Sequence, residues 1–307
     1  MSKLEEMRIY VTLVELGSST KTAEKLGLAN SAISRRMKEL ESRLGVQLIQ
    51  RTTRKMHVTA DGEMFYAHCK RILQDIEEAE TLVSGAAQHL SGNIRIAAPL
   101  SFGVGHLSSA IAAFMHQHPD VNIDIDMSDR RVDIIEEGFD VAIRIGKLED
   151  SSLRARKLSP IRLIVCCSPS FLMQYGKIEH PDDLKSVPAL CYSNPKQSER
   201  WYYTASNGQK GSVQVTPRMR STNGDAIREC AIAGLGVVCE PTFITHNALR
   251  NKTLIPILTD YEWFDMNLYA VFPETRYVSA RVRALIDFLV SRFGGNPYWD
   301  DCYKNHH

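Results

Sequence analysis

Apolar positions in residues 1–45 follow the spacing of three short helices. The first is predicted by apolar residues that precede Gly17: Leu4, Met7, Val11 and Val14. Ser18 to Thr20 can cap a second helix that ends at Gly27, and Asn30 or Ser31 can cap a third. The third has one buried stripe: Ile33, Met37, Leu40 and Leu44. The spacing of Ala23, Gly27 and Ile33 is typical of a helix-turn-helix, so we predict an all-α head.

Beyond residue 91 the pattern changes to short strands that alternate with helices. Ser91-Gly92-Asn93 is a candidate hinge linker. The predicted strands are 94–98, 121–127, 140–145, 163–167, 189–192, 235–239 and 268–272. The predicted helices are 105–118, 132–137, 225–233 and 278–293. This alternation predicts an α/β body with parallel sheets covered by helices.

Residues 61–90 repeat an apolar position every 3.5 residues over four heptads. The repeat consists of Phe65, Cys69, Ile72, Ile76, Ala79, Val83, Ala86 and Leu90. That period is typical of a coiled coil, so we predict a linker helix that dimerises. The expected contacts come from Phe65, Ile72, Ile76, Ala79, Val83 and Ala86. A dimer would present two heads to a pseudo-palindromic site.

Charge is distributed unevenly along a chain whose net charge is only +1. Residues 1–60 hold eleven lysines and arginines against six acidic residues, so this segment carries +5 and the remainder −4. A basic end on a slightly acidic body favours nucleic acid as the partner of that end. In a helix-turn-helix the second helix of the motif enters the major groove by its N-terminal end, where Asn30, Ser31, Ser34 and Arg35 lie here.

A basic turn, Arg51-Thr-Thr-Arg-Lys55, stands beside a short strand-like run and predicts a wing that contacts phosphate or the minor groove. Asparagine can recognise adenine and arginine guanine through paired hydrogen bonds, which gives the third helix a means of reading bases. The alternative for Arg35, Arg36 and Lys38 is an ordinary solvated helix face. The residues expected to contact DNA are Asn30, Ser31, Ser34, Arg35, Arg36, Lys38, Arg51, Thr52 and Arg54.

Composition and motifs point away from membrane and enzyme classes. No apolar run approaches the length of a transmembrane helix and MSKLEEMRIY has no signal-peptide core, so we predict a cytoplasmic protein without membrane contact. The seven cysteines include no CxxC pair and are expected to be free thiols. The sequence contains no nucleophile elbow, phosphate loop or zinc-protease motif, and His116 and His118 do not share a helix face. We therefore expect no catalysis, cofactor or metal.

The N-terminal segment resembles LysR-type transcriptional regulators. The matching runs are Y-V-x-L-V-E-x-G-S, A-E-K-L-G-L, S-A-I-S-R-R-M-x-E-L-E-x-R-L-G-V-x-L and R-T-T-R-x-x-x-V-T-x-x-G, within residues 8–62. The resemblance extends more loosely along the rest of the chain. It implies a winged helix-turn-helix domain (1–60), a dimerisation helix (61–90), an effector-binding domain (91–295) and a tail (296–307). It also implies assembly of dimers into a homotetramer.

For the body, the resemblance implies two Rossmann-like α/β subdomains similar to periplasmic binding proteins. Subdomain I would comprise 94–161 and 268–293, and subdomain II 164–264, with the chain crossing near 161–164 and 264–268. A small effector would bind between them, beyond the carboxyl ends of the strands. Hydroxyl groups and free N–H groups at helix starts there suit an anion or a polar head. The expected effector-binding residues are Leu100, Ser101, Phe102, Arg144, Gly146, Thr222, Asn223, Glu240 and Pro241.

Alternative interpretations stay open for single residues and for the whole chain. Ser101 and Thr222 are also candidate helix caps, and Arg144 and Glu240 are candidates for structural ion pairs. We predict a sequence-specific DNA-binding regulator controlled by a small molecule, with RNA polymerase as a candidate partner. One alternative is a thiol-sensing regulator. The other is a solute-binding protein or enzyme on the same α/β body, which would not need residues 1–90.

Overall fold

The computed structural model describes residues 2–51, 56–83, 90–130, 132–147, 153–193, 199–274 and 278–301. The chain forms two compact units, Met1–Gly92 and Asn93–His307, which we call the head unit and the body. None of the described helices is both long and apolar enough to cross a membrane.

The head unit opens with three helices, as predicted: α1 (Lys3–Leu16), α2 (Ser19–Leu26) and α3 (Asn30–Leu44). Each ends at a glycine with positive φ, and the Ser18 hydroxyl accepts a hydrogen bond from the N–H of Lys21 to start α2. The predicted caps of α3 are wrong, because the N-cap is Ala29 and no side chain caps that helix. The apolar stripes of the three helices meet in one core around Tyr10, Ile33 and Leu40.

An antiparallel hairpin follows α3 and consists of β1 (Ile49–Arg51) and β2 (Met56–Val58), with Ile49 opposite Val58. Glu41 of α3 anchors its first strand. One carboxylate oxygen of Glu41 accepts hydrogen bonds from the N–H groups of Leu48 at 2.8 Å and Ile49 at 3.0 Å. The base of the predicted wing is therefore fixed to α3 by charge-assisted hydrogen bonds.

Helix α4 (Ala60–Val83) begins against the core of the head unit. The hydroxyl of Tyr10 donates a 2.8 Å hydrogen bond to the carbonyl of Gly62. A Cβ atom at Gly62 would lie 2.2 Å from the carbonyl oxygen of Leu48 and 2.8 Å from the Tyr10 hydroxyl, so only glycine fits. This close approach fixes the first turn of α4 against α1 and the start of the hairpin.

The heptad repeat of α4 divides between two environments. Cys69 is fully buried and Phe65 is half-buried, both in the core of the head unit, and the Phe65 ring lies 5.4 Å from that of Tyr10. Helix α1 packs against α4 on this side, and contact between the half-buried Phe65 and a partner helix stays a prediction. Ile72 is 40% exposed and Ile76 is half-buried. Ala86 and the side chains of Ala79 and Val83 lie outside the described part of the chain.

The body alternates strands and helices. Its first half contains β3 (Gly92–Ala98), α5 (Leu100–Phe102), a π-helical turn (Gly103–Leu107), α6 (Ser108–Gln117), β4 (Val121–Met127), β5 (Val141–Gly146), β6 (Leu153–Cys167) and α7 (Pro169–Tyr175). A 3-10 helix (Pro181–Ser186) leads into β7 (Pro188–Tyr192), β8 (Arg200–Ala205), β9 (Lys210–Gln214), β10 (Thr216–Ser221), α8 (Gly224–Ile232) and β11 (Val237–Pro241). The remaining elements are α9 (Thr242–Arg250), β12 (Ile255–Ile257), β13 (Tyr261–Pro273), α10 (Ala280–Phe293) and a 3-10 helix (Tyr298–Asp300).

The described body strands join in one mixed sheet with the order β10-β7-β11-β6-β13-β5-β3-β4. In addition, β12 pairs with β6, and the β8–β9 hairpin pairs with β13. The pairs β3–β5, β7–β10 and β7–β11 are parallel, as predicted, whereas β6 and β13 are antiparallel to their neighbours. The α/β fold is thus confirmed, with two long antiparallel strands through its centre.

These two long strands connect the halves of the sheet. Strand β6 pairs with β13 from Leu153 to Leu163, and with β11 and β12 from Leu163 to Cys167. It therefore changes partner where the chain is predicted to cross between subdomains. We call residues 94–161 and 268–293 lobe I and residues 164–264 lobe II; these are the bounds predicted for the two subdomains.

Two segments of the body differ from the sequence prediction. Residues 134–138 form a turn rather than a helix, because the Asp133 carboxylate accepts hydrogen bonds from the N–H groups of Ile135 and Glu136. The predicted tail packs into the body as far as residue 301. Trp299 is 1% exposed, and the Thr242 hydroxyl donates a 2.6 Å hydrogen bond to Asp300.

Candidate DNA-reading surface and effector cleft

Helix α3 turns one polar face to solvent. Ile33, Met37 and Leu40 are buried, while the exposed positions on the helix's N-terminal half fall on one face. These are Asn30, Ser31, Ser34, Arg35 and Lys38. Five of the nine residues predicted to contact DNA therefore form one continuous surface, the α3 face. Arg36 is half-buried on another side of α3.

Arg35, the arginine of the α3 face, is held only weakly within the fold. The Arg35 side chain is 73% exposed and forms an ion pair with Glu39, at 3.7 Å between Nε and Oε1. A solvent-exposed i,i+4 pair of this kind contributes about 0.3–0.5 kcal/mol and yields readily to a base or phosphate. Because Ala29 is the N-cap, neither Asn30 nor Ser31 is needed to cap the helix.

The remaining predicted contacts belong to the wing. Its base is the hairpin described above, and a second tether is the Thr59 hydroxyl, which donates a 2.7 Å hydrogen bond to the carbonyl of Gln47. Thr52 and Arg54, and the side chain of Arg51, lie outside the described part of the chain. Arg43 pairs with Glu6 at 2.5 Å and ties the end of α3 to α1.

In the body, the structure brings the starts of two helices from different lobes into contact. The Ser101 hydroxyl of α5 in lobe I donates a 2.6 Å hydrogen bond to Asp225 of α8 in lobe II. Asp225 also pairs with Arg228 at 2.7 Å. The carboxylate of Asp129 accepts a 3.0 Å hydrogen bond from the N–H of Leu100. We call the site between Ser101 and Asp225 the cleft.

Four further predicted residues border the cleft in different ways. Asn223 caps α8 by accepting from the N–H of Ala226, while Thr222 is exposed and has no capping role. Pro241 is half-buried and is the N-cap of α9. Glu240, beside it at the end of β11, is only 2% exposed. A Cβ atom at Gly224 would lie 3.2 Å from Glu240 Oε2, which places that carboxyl against the start of α8.

Three other predicted residues are described by their surroundings in the fold. Phe102 is fully buried among aromatic rings, including those of Phe243 and Trp299, and so does not line an open cleft. The guanidinium of Arg144 donates a 2.8 Å hydrogen bond to the carbonyl of Val132. Gly146 ends β5 with φ of 142°.

Sequence reasoning missed the carboxylates on both sides of the cleft, Asp129 and Asp225. It also missed His106, whose ring nitrogens are 2.5 Å from the Tyr298 hydroxyl and 2.9 Å from the Phe243 carbonyl oxygen. The pKa of His106 is lowered, chiefly because the ring is buried. These partners are distant in sequence, so only the acidic residue in the first turn of α8 offered a local signal.

The buried thiols do not have the environment of a redox sensor. Burial raises the pKa of Cys69 and Cys167 to about 12 and that of Cys191 to about 11. Burial also raises the pKa of Cys166 and Cys239. A sensor needs an accessible thiolate, which these groups disfavour. Within the described residues no group of three or more histidine, cysteine or acidic side chains is arranged to hold a metal ion.

A helix-turn-helix with an exposed basic face, joined to a separate α/β body, is the architecture of a DNA-binding transcriptional regulator with an effector domain. Comparison with known families agrees. The model of the bacterial regulatory helix-turn-helix protein, lysR family, matches residues 4–63, and that of the LysR substrate binding domain matches residues 87–294. The chain belongs to the LysR family of transcriptional regulators.

Individual relatives match along their full length. The chain is 31% identical to the transcriptional regulator CrgA of Neisseria meningitidis over 293 residues, which cover 95% of this chain and 97% of CrgA. It is 30% identical to the regulator PtxR of Pseudomonas aeruginosa, over 96% of this chain and 94% of PtxR. The solved structure of CrgA matches with a TM-score of 0.61 over 96% of this chain and all of that one. The full-length Vibrio cholerae virulence activator AphB matches with a TM-score of 0.59 and 28% identity, over 94% of this chain and 99% of that one.

Proposed function

We propose that this regulator recognises a specific double-stranded DNA site through α3 and the wing, and that a small molecule bound in the cleft controls its activity. The observation that carries the first half is the α3 face. Asn30, Ser31, Ser34, Arg35 and Lys38 are together on an exposed surface of a helix whose opposite side is fixed in the core. Such a surface can enter the major groove and present hydrogen-bonding groups to base edges.

The Ser101–Asp225 contact supports the second half of the proposal. It joins the two lobes directly at the helix starts where an effector is expected. A small molecule that enters the cleft must replace this hydrogen bond or change its geometry. Binding energy is then coupled to lobe position, and the ligand shifts the population of conformations that differ in it.

Assembly is part of the proposal. Within α4, Met64 is 59% exposed and Ile72 is 40% exposed, which leaves apolar surface available to a second copy. We infer a homodimer through α4 and a homotetramer that contacts two half-sites of a pseudo-palindromic operator. A tetramer on two half-sites would bend the DNA between them and could contact RNA polymerase, and both would change the rate of transcription.

The experiment measures fluorescence anisotropy of labelled DNA from upstream of this protein's own coding region, across a salt series. Arg35→Ala is expected to weaken binding by about 1–3 kcal/mol, or roughly 5- to 150-fold, and to blur base preference at one position. Arg8→Ala is the matched control, because Arg8 is an exposed arginine on α1 away from the α3 face.

Equal losses in both variants would mean that general charge, rather than the α3 face, determines binding. If the native protein binds this DNA weakly and without sequence preference, its target is then sought by selection from a pool of random DNA sequences. Failure to select any sequence there would refute specific recognition by α3.

A further inference from the structure

The hydrogen-bond donors at the start of α5, which could bind an anion in the cleft, already donate to carboxylates. The main-chain N–H of Leu100 donates to Asp129, and the hydroxyl of Ser101 donates to Asp225. Both carboxylates lie where the sequence analysis expected an anionic or polar effector group. An anion placed there would lose these donors and meet two negative charges.

Glu240 adds a third carboxyl group with a different environment. It is 2% exposed, and within the described part of the chain no donor is hydrogen-bonded to its side chain. Its oxygen atoms keep slight contact with solvent, since the described side-chain atoms that are both fully buried and without a partner are Trp263 Nε1 and Trp299 Nε1. Its Oε2 atom points at Gly224, where even a methyl group would come within 3.2 Å. A buried carboxyl group without a donor is unfavourable, because burial removes its water without replacing the hydrogen bonds.

The nearby cation is engaged elsewhere. Arg228 donates to Asp225, to Glu229 and to the carbonyl of Ile244. Among the cations of the described residues, Arg228 is the one that acts on Glu240. Burial, and then the repulsion of Asp225, raise the pKa of Glu240 to about 8, with Arg228 acting in the opposite direction.

The other groups that interact electrostatically with Glu240 do not compensate its charge. They are the thiols of Cys166, Cys191 and Cys239 and the phenol of Tyr192. The pKa of Tyr192 is itself raised to about 12, by burial first and then by Asp129 and Glu240. The cleft therefore combines three carboxyl groups and leaves the most buried of them unpaired.

We propose that the effector carries a protonated nitrogen, as in an amine, amidine or guanidine, which pairs with Glu240 while Asp225 and Asp129 stabilise its positive charge. This inference rests on the proposed function, since it names the ligand class of the same cleft. A cation supplies both the missing hydrogen-bond donor and the missing charge. To reach Glu240 it competes with the Ser101 hydroxyl for Asp225, and so opens the direct contact between the lobes.

The test uses the full chain and probes at up to 10 mM. The cations are benzylamine, 1,4-diaminobutane and arginine amide. The anions are benzoate and succinate, and acetylglycinamide is the neutral control. All three tryptophans lie in the body, so their fluorescence reports unfolding of that unit alone. At least one cation is expected to raise the unfolding temperature of the body, and the anions are not. In Glu240→Gln the affinity for that cation should fall at least tenfold.

Glu229→Gln is the control, because Glu229 is an acidic residue on α8 with a 64% exposed side chain. Calorimetry at pH 7 in two buffers of different ionisation enthalpy adds a readout that a merely structural role would not give. A cation that pairs with Glu240 should release close to one proton in the native protein and none in Glu240→Gln. Binding without proton release, or with equal affinity in Glu240→Gln, overturns the inference.

Stabilisation by the anionic probes alone, or by none of the cations, also overturns it. These outcomes are separate from the DNA experiment. Loss of DNA binding in Arg35→Ala with no cation binding leaves the regulator proposal intact and removes only the ligand class. Cation binding that leaves DNA affinity unchanged supports the ligand class and refutes its role as the controlling effector.

Discussion

Glu41 offers a way to perturb DNA binding from a residue inside the fold. Its carboxylate accepts hydrogen bonds from the N–H groups of Leu48 and Ile49, which start the wing. Each charge-assisted hydrogen bond contributes roughly 1.5–3 kcal/mol, and two bonds to one oxygen share that energy, so Glu41→Ala should cost about 2–4 kcal/mol locally. The wing would then separate from α3 more often, and DNA would bind less tightly.

Amide hydrogen exchange measures this cost directly at the two N–H groups. A loss of 2–4 kcal/mol corresponds to exchange at Leu48 and Ile49 that is roughly 30- to 900-fold faster. Glu41→Gln should show a smaller effect, because its amide oxygen can accept the same bonds without the charge. Glu39→Ala is the control, since Glu39 is on the same helix with a 59% exposed side chain.

The reasoning would be refuted if Glu41→Ala left exchange at these two amides unchanged. It would also be refuted if exchange became faster while DNA affinity stayed the same, because the wing would then contribute nothing to binding. A change of the same size in Glu39→Ala would point to helix charge rather than to the anchoring of the wing.

Two further predictions concern stability. Gly62→Ala places a methyl group 2.2 Å from the Leu48 carbonyl oxygen and should destabilise the head unit by about 1–3 kcal/mol or more, measured by exchange of α1 amides. Unchanged exchange of these amides would contradict the close packing at Gly62. The pKa of Glu240 is about 8 in the folded chain and ordinarily 4.5, so the unfolded state binds fewer protons between these values. Stability of the body should therefore fall as pH rises from 5 to 8, by at most about 1.4 kcal/mol per pH unit. Urea midpoints at pH 5.5 and pH 8, followed by tryptophan fluorescence, should show a weaker fall in Glu240→Gln; parallel curves would contradict the assignment.

The local sequence pattern was sufficient to predict the helices and strands in which buried positions recur at a regular spacing. The strand predicted at 121–127 coincides with β4, and Gly17, Gly27 and Gly45 end the three predicted helices. Strand β6 was predicted only at 163–167, although it begins at Leu153. Its first half is polar and contains Pro160, and it is a strand because β13 pairs with it, which is a tertiary effect.

The heptad of α4 shows what periodicity leaves open. The repeat correctly indicates a helix with one apolar side, but a pattern cannot say which surface covers it. In the structure, α1 covers Phe65 and Cys69, while Ile72 remains exposed. The α3 face was predictable from the same periodicity, because the buried stripe of that helix determines which residues lie on its exposed side.

The cleft was predictable in location but not in charge. Strand ends and helix starts identified Ser101, Asn223 and Glu240 as neighbours of one site. The carboxylates that occupy the donors come from positions far along the chain. Asp225 meets Ser101 across 124 residues, and Asp129 follows β4, so apart from the acidic residue in the first turn of α8 no local pattern shows that the site is acidic.

The central place of β13 in the sheet has a consequence for synthesis on the ribosome. The head unit can fold as soon as its own residues emerge, whereas β5 must wait for β13, its antiparallel neighbour, which begins at Tyr261. At typical elongation rates of about 5–20 residues per second, that delay is roughly 6–23 seconds. During this interval the apolar edge of β5 is unpaired in a nascent chain whose head unit is complete. The head unit is therefore complete in the nascent chain before the sheet of the body can close.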